Sequence, residues 1–188
     1  RTLTLATYAR ELRTQRSLYK RLSGVDPLTG IYNRAGIKPL LKKSFEDNRR
    51  KSGGAVMVID IDHFKRVNDQ YGHSMGDDVI KSVAHVIMDV IRLGDLFARW
   101  GGEEFVLFCP NVDCNTAQVI GEKLRQAVCD SSYSGAGSLT VTVSLGVTIV
   151  RADDSFEQAF ERADQGLYQA KQAGRNRIVF FDYDESPA

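Results

Sequence analysis

The stretch RWGGEEFVLF, Arg99 to Phe108, sets two glycines and two adjacent carboxylates between apolar flanks. FARW and FVLF read as strands, and both glycine and neighbouring like charges weaken a strand. The stretch therefore reads as a β-hairpin, 97–100 and 104–109, with Gly101, Gly102 and a carboxylate presented at its turn.

Working outward, AVMVIDID at 55–62 is short, β-branched and almost continuously apolar, which marks a strand covered on both faces. It ends in Asp60 and Asp62. Residues 75–95 read as a helix with an apolar stripe of Val79, Ile80, Val83, Val86, Ile87, Val90 and Ile91, closed by Gly94. Beyond the hairpin come a helix at about 115–129 and a Gly/Ser loop at 131–138. LTVTVSLGVTIV at 139–150 reads as a long alternating strand, with Gly146 marking a bulge. A helix at 155–174 and a last strand at 177–181 complete the chain. Upstream, Pro27 and Gly30 mark a turn, and a helix spans about Arg34 to Arg50.

The order is β-α-β-β-α-β with an extra helix before it and an extra strand–helix pair inserted. That predicts an α+β, ferredoxin-like fold, mostly antiparallel, with the FVLF strand beside AVMVIDID at the sheet centre. Residues 1–24 form a separate helix and linker, and 25–184 the globular domain. In that first helix Leu5, Tyr8, Leu12, Gln15, Tyr19 and Leu22 alternate at spacings of three and four. Such spacing fits a short coiled-coil seam, or equally a single helix packing on its own domain.

Composition narrows the partners. Of 188 residues, 43% are hydrophobic, enough for a full core. Lys and Arg total 25 against 24 Asp and Glu, so no global field argues for nucleic acid or membrane. Cys109, Cys114 and Cys129 form no CxxC, which excludes a zinc site of that type and a disulfide framework, and fits a reducing cytoplasm. No apolar run reaches membrane-spanning length. The chain begins at Arg1, and the expectation is a fragment whose upstream sensor domain is missing.

Asp60 and Asp62, at i and i+2, share a face if the strand persists. If the two strands are neighbours, Glu103 and Glu104 converge on them. Clustered carboxylates raise one another's pKa unless a cation neutralises them, and hard oxygen ligands suit Mg²⁺ with substrate phosphates. The alternative is a set of solvated acids at strand ends.

Four blocks, DPLTGIYNR, DIDHFKRVNDQYGHSMGD, RWGGEEF and AKQAGRNR, together resemble the GGDEF diguanylate cyclase family over residues 26–182, with Glu103 in place of the motif's Asp. The resemblance implies a palm fold similar to that of class III nucleotidyl cyclases, and condensation of two GTP into cyclic di-GMP with release of two pyrophosphates. It implies Mg²⁺ or Mn²⁺ on Asp60, Glu103 and the Ile61 carbonyl, with Glu104 helping to deprotonate the attacking 3′-hydroxyl. Backbone N–H groups of His63 and Phe64 would meet phosphate, and Lys65 would stabilise transition-state charge. Asn68 and Asp77 would read guanine; His73, between them, is a substrate contact or a structural histidine. Gly101 and Gly102 would lie flat against the nucleotide, and Lys171 and Arg175 would reach the β- and γ-phosphates. Arg92 and Asp95, in RLGD, fall where the family binds its product as an inhibitor; a surface ion pair is the plain alternative. One chain carries one set of motifs while the product needs two GTP, so a homodimer is implied. Trp100 is expected to serve packing.

Overall fold

The computed structural model describes residues 24–48, 53–133 and 139–181. The helix expected over 1–22, and with it the coiled-coil seam, lies outside the described residues. In chain order the elements are β1 (Tyr32–Asn33), α1 (Arg34–Asn48), β2 (Gly54–Ile61), α2 (Phe64–Tyr71), α3 (His73–Val90), β3 (Leu96–Gly101), β4 (Glu104–Pro110), α4 (Cys114–Asp130), β5 (Val143–Ile149), α5 (Phe156–Gln172) and β6 (Ile178–Phe180).

They form one six-stranded sheet in the order β1-β3-β4-β2-β5-β6. The four inner strands are antiparallel neighbours, and the short edge strands β1 and β6 add in parallel. The β2-to-β5 core is the expected ferredoxin-like arrangement, with the FVLF strand paired to AVMVIDID. The additions differ from expectation: β1 and α1 precede the core and α5 and β6 follow it, so no strand–helix pair is inserted. A short helix, α2, was not foreseen; its charged sequence FKRVNDQY buries only Val67.

β2 explains its own apolar run. Val56 and Val58 face α1 and α5 with Phe108 and Val106, while Met57, Ile59 and Ile61 face α3 and α4 with Phe105 and Leu107. Both faces are covered, so alternation disappears.

β5 corrects the sequence reading for the same reason. It runs only over Val143–Ile149 and is buried on both faces, although its sequence alternates. Gly146 marks no bulge: it keeps register with Val58 and Val179. A Cβ there would lie 1.9 Å from the Ala163 carbonyl oxygen and 2.1 Å from the Leu167 nitrogen. The glycine thus lets the α5 backbone rest on the sheet, a purpose strand periodicity cannot reveal.

α3 also ends earlier than expected, at Val90 with Ile91 extended, so Gly94 belongs to a following turn and not to the helix end. Trp100 is half-buried, packing on Phe156 and Phe160 with the Arg34 guanidinium 4.6 Å from its ring centre. Among the described residues no helix is long and apolar enough to cross a membrane.

Candidate functional site

The end of β2 meets the β3–β4 turn. Asp60 stands opposite Glu104 across the ladder, and the Ile61 N–H donates to the Glu103 carbonyl at 3.3 Å. Asp60 is buried, with Lys171 Nζ 2.9 Å from its Oδ2. Burial pushes the Asp60 carboxyl up to about 6; Lys171 opposes this, and Glu103 and Glu104 reinforce it. Glu104 is raised as well, by burial and by Asp164 and Glu103, against the pull of Lys171. One ammonium is thus set against converging carboxylates, and the local charge is negative despite the pair.

This donor chemistry fits a hard divalent cation. Asp60 and Glu103 offer carboxylates and Ile61 a carbonyl, all oxygen. Among the described residues no group of three or more His, Cys, Asp or Glu is placed to hold a metal ion by itself. A set of two side-chain acids plus a carbonyl leaves room for phosphate oxygens, which suits Mg²⁺ better than a dedicated all-protein site would.

The glycine turn is braced from one side. Arg99 donates from Nε and Nη2 to the Gly102 carbonyl at 2.9 and 2.7 Å, and from Nη1 to both Asp26 oxygens at 3.2 Å. Asp26 also accepts from the Thr29 N–H and hydroxyl. Burial pushes the Asp26 carboxyl up, but the Thr29 and Arg99 bonds outweigh it and hold it below the ordinary value. Gly102 has φ +40, in the left-handed region, and a Cβ on Gly101 or Gly102 would meet no atom within 4 Å. The protein itself does not fill the space over these glycines. Sequence reasoning missed this brace: DPLTGIYNR was read for its turn, and the ionic partner of Asp26 lies 73 residues away.

That space opens into a cleft of about 680 Å³. It is lined by Gly101, Gly102 and Asp77, and also by Leu28 and Asn33, which were not foreseen. Asp77 is exposed on the first turns of α3. Asn68 lies against the same helix: a Cβ on Gly76 would stand 2.0 Å from its Oδ1, so Gly76 admits the amide beside Asp77. His73 is exposed at the start of α3 and does not line this cleft.

His63 has φ +55 and caps α2 with its carbonyl, which accepts from the Arg66 N–H at 2.8 Å. Phe64 and the exposed Lys65 follow in the first turn, where helix geometry leaves N–H groups without intrahelical acceptors. Asp62, by contrast, is consumed by the fold: it accepts from Thr142, Ser144 and the Asn176 N–H. The shared face with Asp60 was expected only if the strand reached Asp62, but β2 ends at Ile61, and the partners of Asp62 were not foreseen.

Residues 23–177 match the family described as diguanylate cyclase, GGDEF domain. The chain belongs to the GGDEF domain family. It is 41% identical over 155 residues to the diguanylate cyclase DgcP of Pseudomonas aeruginosa, covering 81% of this chain and 23% of DgcP, so it spans about a quarter of that relative's length. Among solved structures, the coiled coil and GGDEF domain of DgcB from Caulobacter crescentus, in complex with c-di-GMP, superposes with a TM-score of 0.80 at 30% identity, covering 93% of this chain and 94% of that one. The active GGEEF domain of a diguanylate cyclase from Vibrio cholerae gives 0.76 at 30% identity, covering 81% and 98%. That domain is described by the same GGEEF variant as Gly101–Phe105 here.

In this GGDEF domain the RLGD segment is a tight turn outside the cleft. Asp95 accepts from the Arg92 N–H at 3.0 Å and from Nε at 3.2 Å, and Arg92 Nη2 also reaches the Pro110 carbonyl. The Asp95 side chain is nearly buried while Arg92 is half-exposed. The two residues border a second hollow of about 510 Å³ with Tyr32, Met88 and Leu93. The ion pair of the plain reading therefore exists, and it borders that hollow. At the basic end, Lys171 is held by Asp60, while Arg175 and Asn176 both have positive φ, 64 and 46.

Proposed function

We propose that this domain is a diguanylate cyclase, joining two GTP into cyclic di-GMP and releasing two pyrophosphates. One observation carries the reading: a single cleft runs from Asp77 to the open face of Gly101 and Gly102, whose turn is bonded to the acid-bearing end of β2. Asp77 can accept from the two adjacent N–H donors of a guanine edge, a pairing adenine does not offer, and Asn68 adds a donor and an acceptor. The bare glycine turn lets the backbone lie against the nucleotide. His63 and Phe64 N–H groups at the start of α2, with Lys65, meet phosphate oxygens, and Lys171 and Arg175 hold the distal phosphates. Mg²⁺ or Mn²⁺, held by Asp60, Glu103 and the Ile61 carbonyl, supplies charge neutralisation and acidifies the attacking hydroxyl when bound. Glu104, whose carboxyl is raised by burial and its acidic neighbours, is the residue suited to take the 3′-hydroxyl proton. The protein's contribution is placement and preorganised charge, with no covalent intermediate.

Each chain holds one GTP, so two copies must face each other with the 3′-hydroxyl of one nucleotide at the α-phosphate of the other. Incubation with GTP and Mg²⁺ should release pyrophosphate, at a rate per subunit that rises with protein concentration until dimers saturate. Absence of pyrophosphate at every concentration defeats the cyclase reading; constant specific activity across the monomer–dimer transition defeats the dimer. The domain is also read as the output part of a longer cytoplasmic signalling protein. Arg92 and Asp95 are read as a product site, where cyclic di-GMP inhibits without competing with GTP. Arg92→Ala should then weaken that inhibition and spare the uninhibited rate.

A further inference from the structure

Two carboxylates, Asp60 near the end of β2 and Asp62 just past it, grip the same basic segment at two points. Asp60 holds the Lys171 ammonium in the last turn of α5, and two residues on, Asp62 holds the backbone just past that helix. Asp62 is only 5% exposed. Its Oδ2 accepts from the Thr142 hydroxyl at 2.7 Å and the Asn176 N–H at 3.0 Å, and its Oδ1 from the Ser144 hydroxyl at 2.6 Å. The segment it pins is unusual. Gly174, Arg175 and Asn176 have φ of 110, 64 and 46, three consecutive residues in a region that side-chain-bearing residues seldom adopt. Within that run the Arg175 N–H donates to the Ala170 carbonyl at 2.9 Å, and the Arg175 carbonyl accepts from Arg177 Nε at 3.1 Å. Strained backbone persists only where its surroundings over-determine it. Here a buried carboxylate meets the last strained residue with an ionic acceptor, a bond about twice as strong as a neutral one.

We infer that Asp62 is a positioning residue for the distal phosphates of GTP: by fixing the Gly174–Asn176 loop through the Asn176 N–H, it sets the placement of Arg175, which the proposed function makes a ligand of those phosphates. Asp62 touches no substrate and takes no proton. Its hydroxyl partners are Thr142, just before β5, and Ser144, within it, so the aim of Arg175 is referenced to the sheet as well as to the end of α5. The inference rests on the proposed GTP site and predicts a division of labour within it. Guanine recognition at Asp77 should be indifferent to Asp62, while recognition of the β- and γ-phosphates should depend on it.

The test compares equilibrium binding of GTP and GMP to the full chain, with Ca²⁺ as the divalent cation to suppress turnover, in wild type, Asp62→Ala, Arg175→Ala and the double variant. Wild type should prefer GTP. Asp62→Ala should lose about tenfold or more of that preference, the scale of one charge-assisted hydrogen bond, with GMP affinity unchanged. The double variant should be no worse than Arg175→Ala alone, because both lesions remove one interaction. A preference unchanged in Asp62→Ala, or losses that add in the double variant, overturns the inference. An equal loss for GTP and GMP also overturns it, since that is the mark of a merely structural carboxylate. A wild type that binds neither nucleotide defeats the cyclase reading instead, so the two failures are distinct. If Asp62→Ala does not fold, Asp62→Asn keeps an acceptor for the Asn176 N–H without the charge. It should then show an intermediate preference, and a preference equal to wild type overturns the inference.

Discussion

Helix α5 carries two cations that each meet a buried carboxylate, and the two pairs behave oppositely. Toward the start, Arg162 meets Asp154 with two nitrogens, one at 2.9 Å, and also bonds Thr148 and the Ile149 carbonyl. In the last turn, Lys171 meets Asp60 with one bond at 2.9 Å. The carboxylates are almost equally buried, 7% and 6% exposed. Burial pushes both up, yet Asp154 ends below its ordinary value, held there by Arg162 and the Arg151 N–H, while Asp60 is left at about 6. The difference lies in the neighbours. Asp154 has a forked guanidinium and a backbone donor; Asp60 has a single-point ammonium and two glutamates that repel it. A pair whose bonds are all made holds structure. A pair left short of positive charge is set up to receive more of it, which is what a divalent cation would bring.

The contrast breaks first at the site. Asp60→Ala or Glu103→Ala should lower pyrophosphate release from GTP by about a hundredfold or more, with the melting temperature nearly unchanged. Retention of about a tenth of the rate would remove either residue from the charge-handling set.

Arg162→Ala should do the reverse. It strands a buried carboxylate, which costs about 3–5 kcal/mol, while activity per folded molecule, measured by titrating against folded fraction, stays close to wild type. A stable but inactive Arg162→Ala would erase the distinction between the two pairs.

Gly146→Ala tests the seat that serves both. Its Cβ would collide with α5 backbone at Ala163 and Leu167, so the helix must lift. A loss of about 1–3 kcal/mol is expected by denaturant titration, with activity falling too, because Lys171 rides on the same helix.

The smallest effect is in pH, and its sign separates the pairs. The folded-state value of Asp154 is depressed, so its contribution to stability is present above the unfolded value of 3.8 and is lost as pH falls through the folded one. That of Asp60 is raised, so its contribution is complete below 3.8 and is lost as pH rises through about 6. In metal-free protein, the stability gap between wild type and Asp154→Asn should shrink on acidification. Asp60→Asn should flatten a decline that wild type shows between those two values. Slopes of the same sign in both would refute the assignment.

The sequence by itself determined the order of the inner elements, the pairing of FVLF with AVMVIDID and the acids that end β2 and open β4. Those are local matters: a run of apolar residues too long to alternate, glycines at a turn, and carboxylates at fixed offsets from both. Only the tertiary structure decided what lies across the chain from each. The Arg99–Asp26 brace closes over 73 residues and the Asp62–Asn176 bond over 114, and no periodicity encodes either. β5 alternates in sequence yet is covered on both faces, because whether a strand face meets water depends on which helix the rest of the chain lays over it. Gly146 follows the same logic: read alone it suggested a bulge, but the α5 backbone resting on it removes room for a side chain. Propensity and pattern act over a few residues, whereas burial, close approach and charge balance are set by partners distant in sequence.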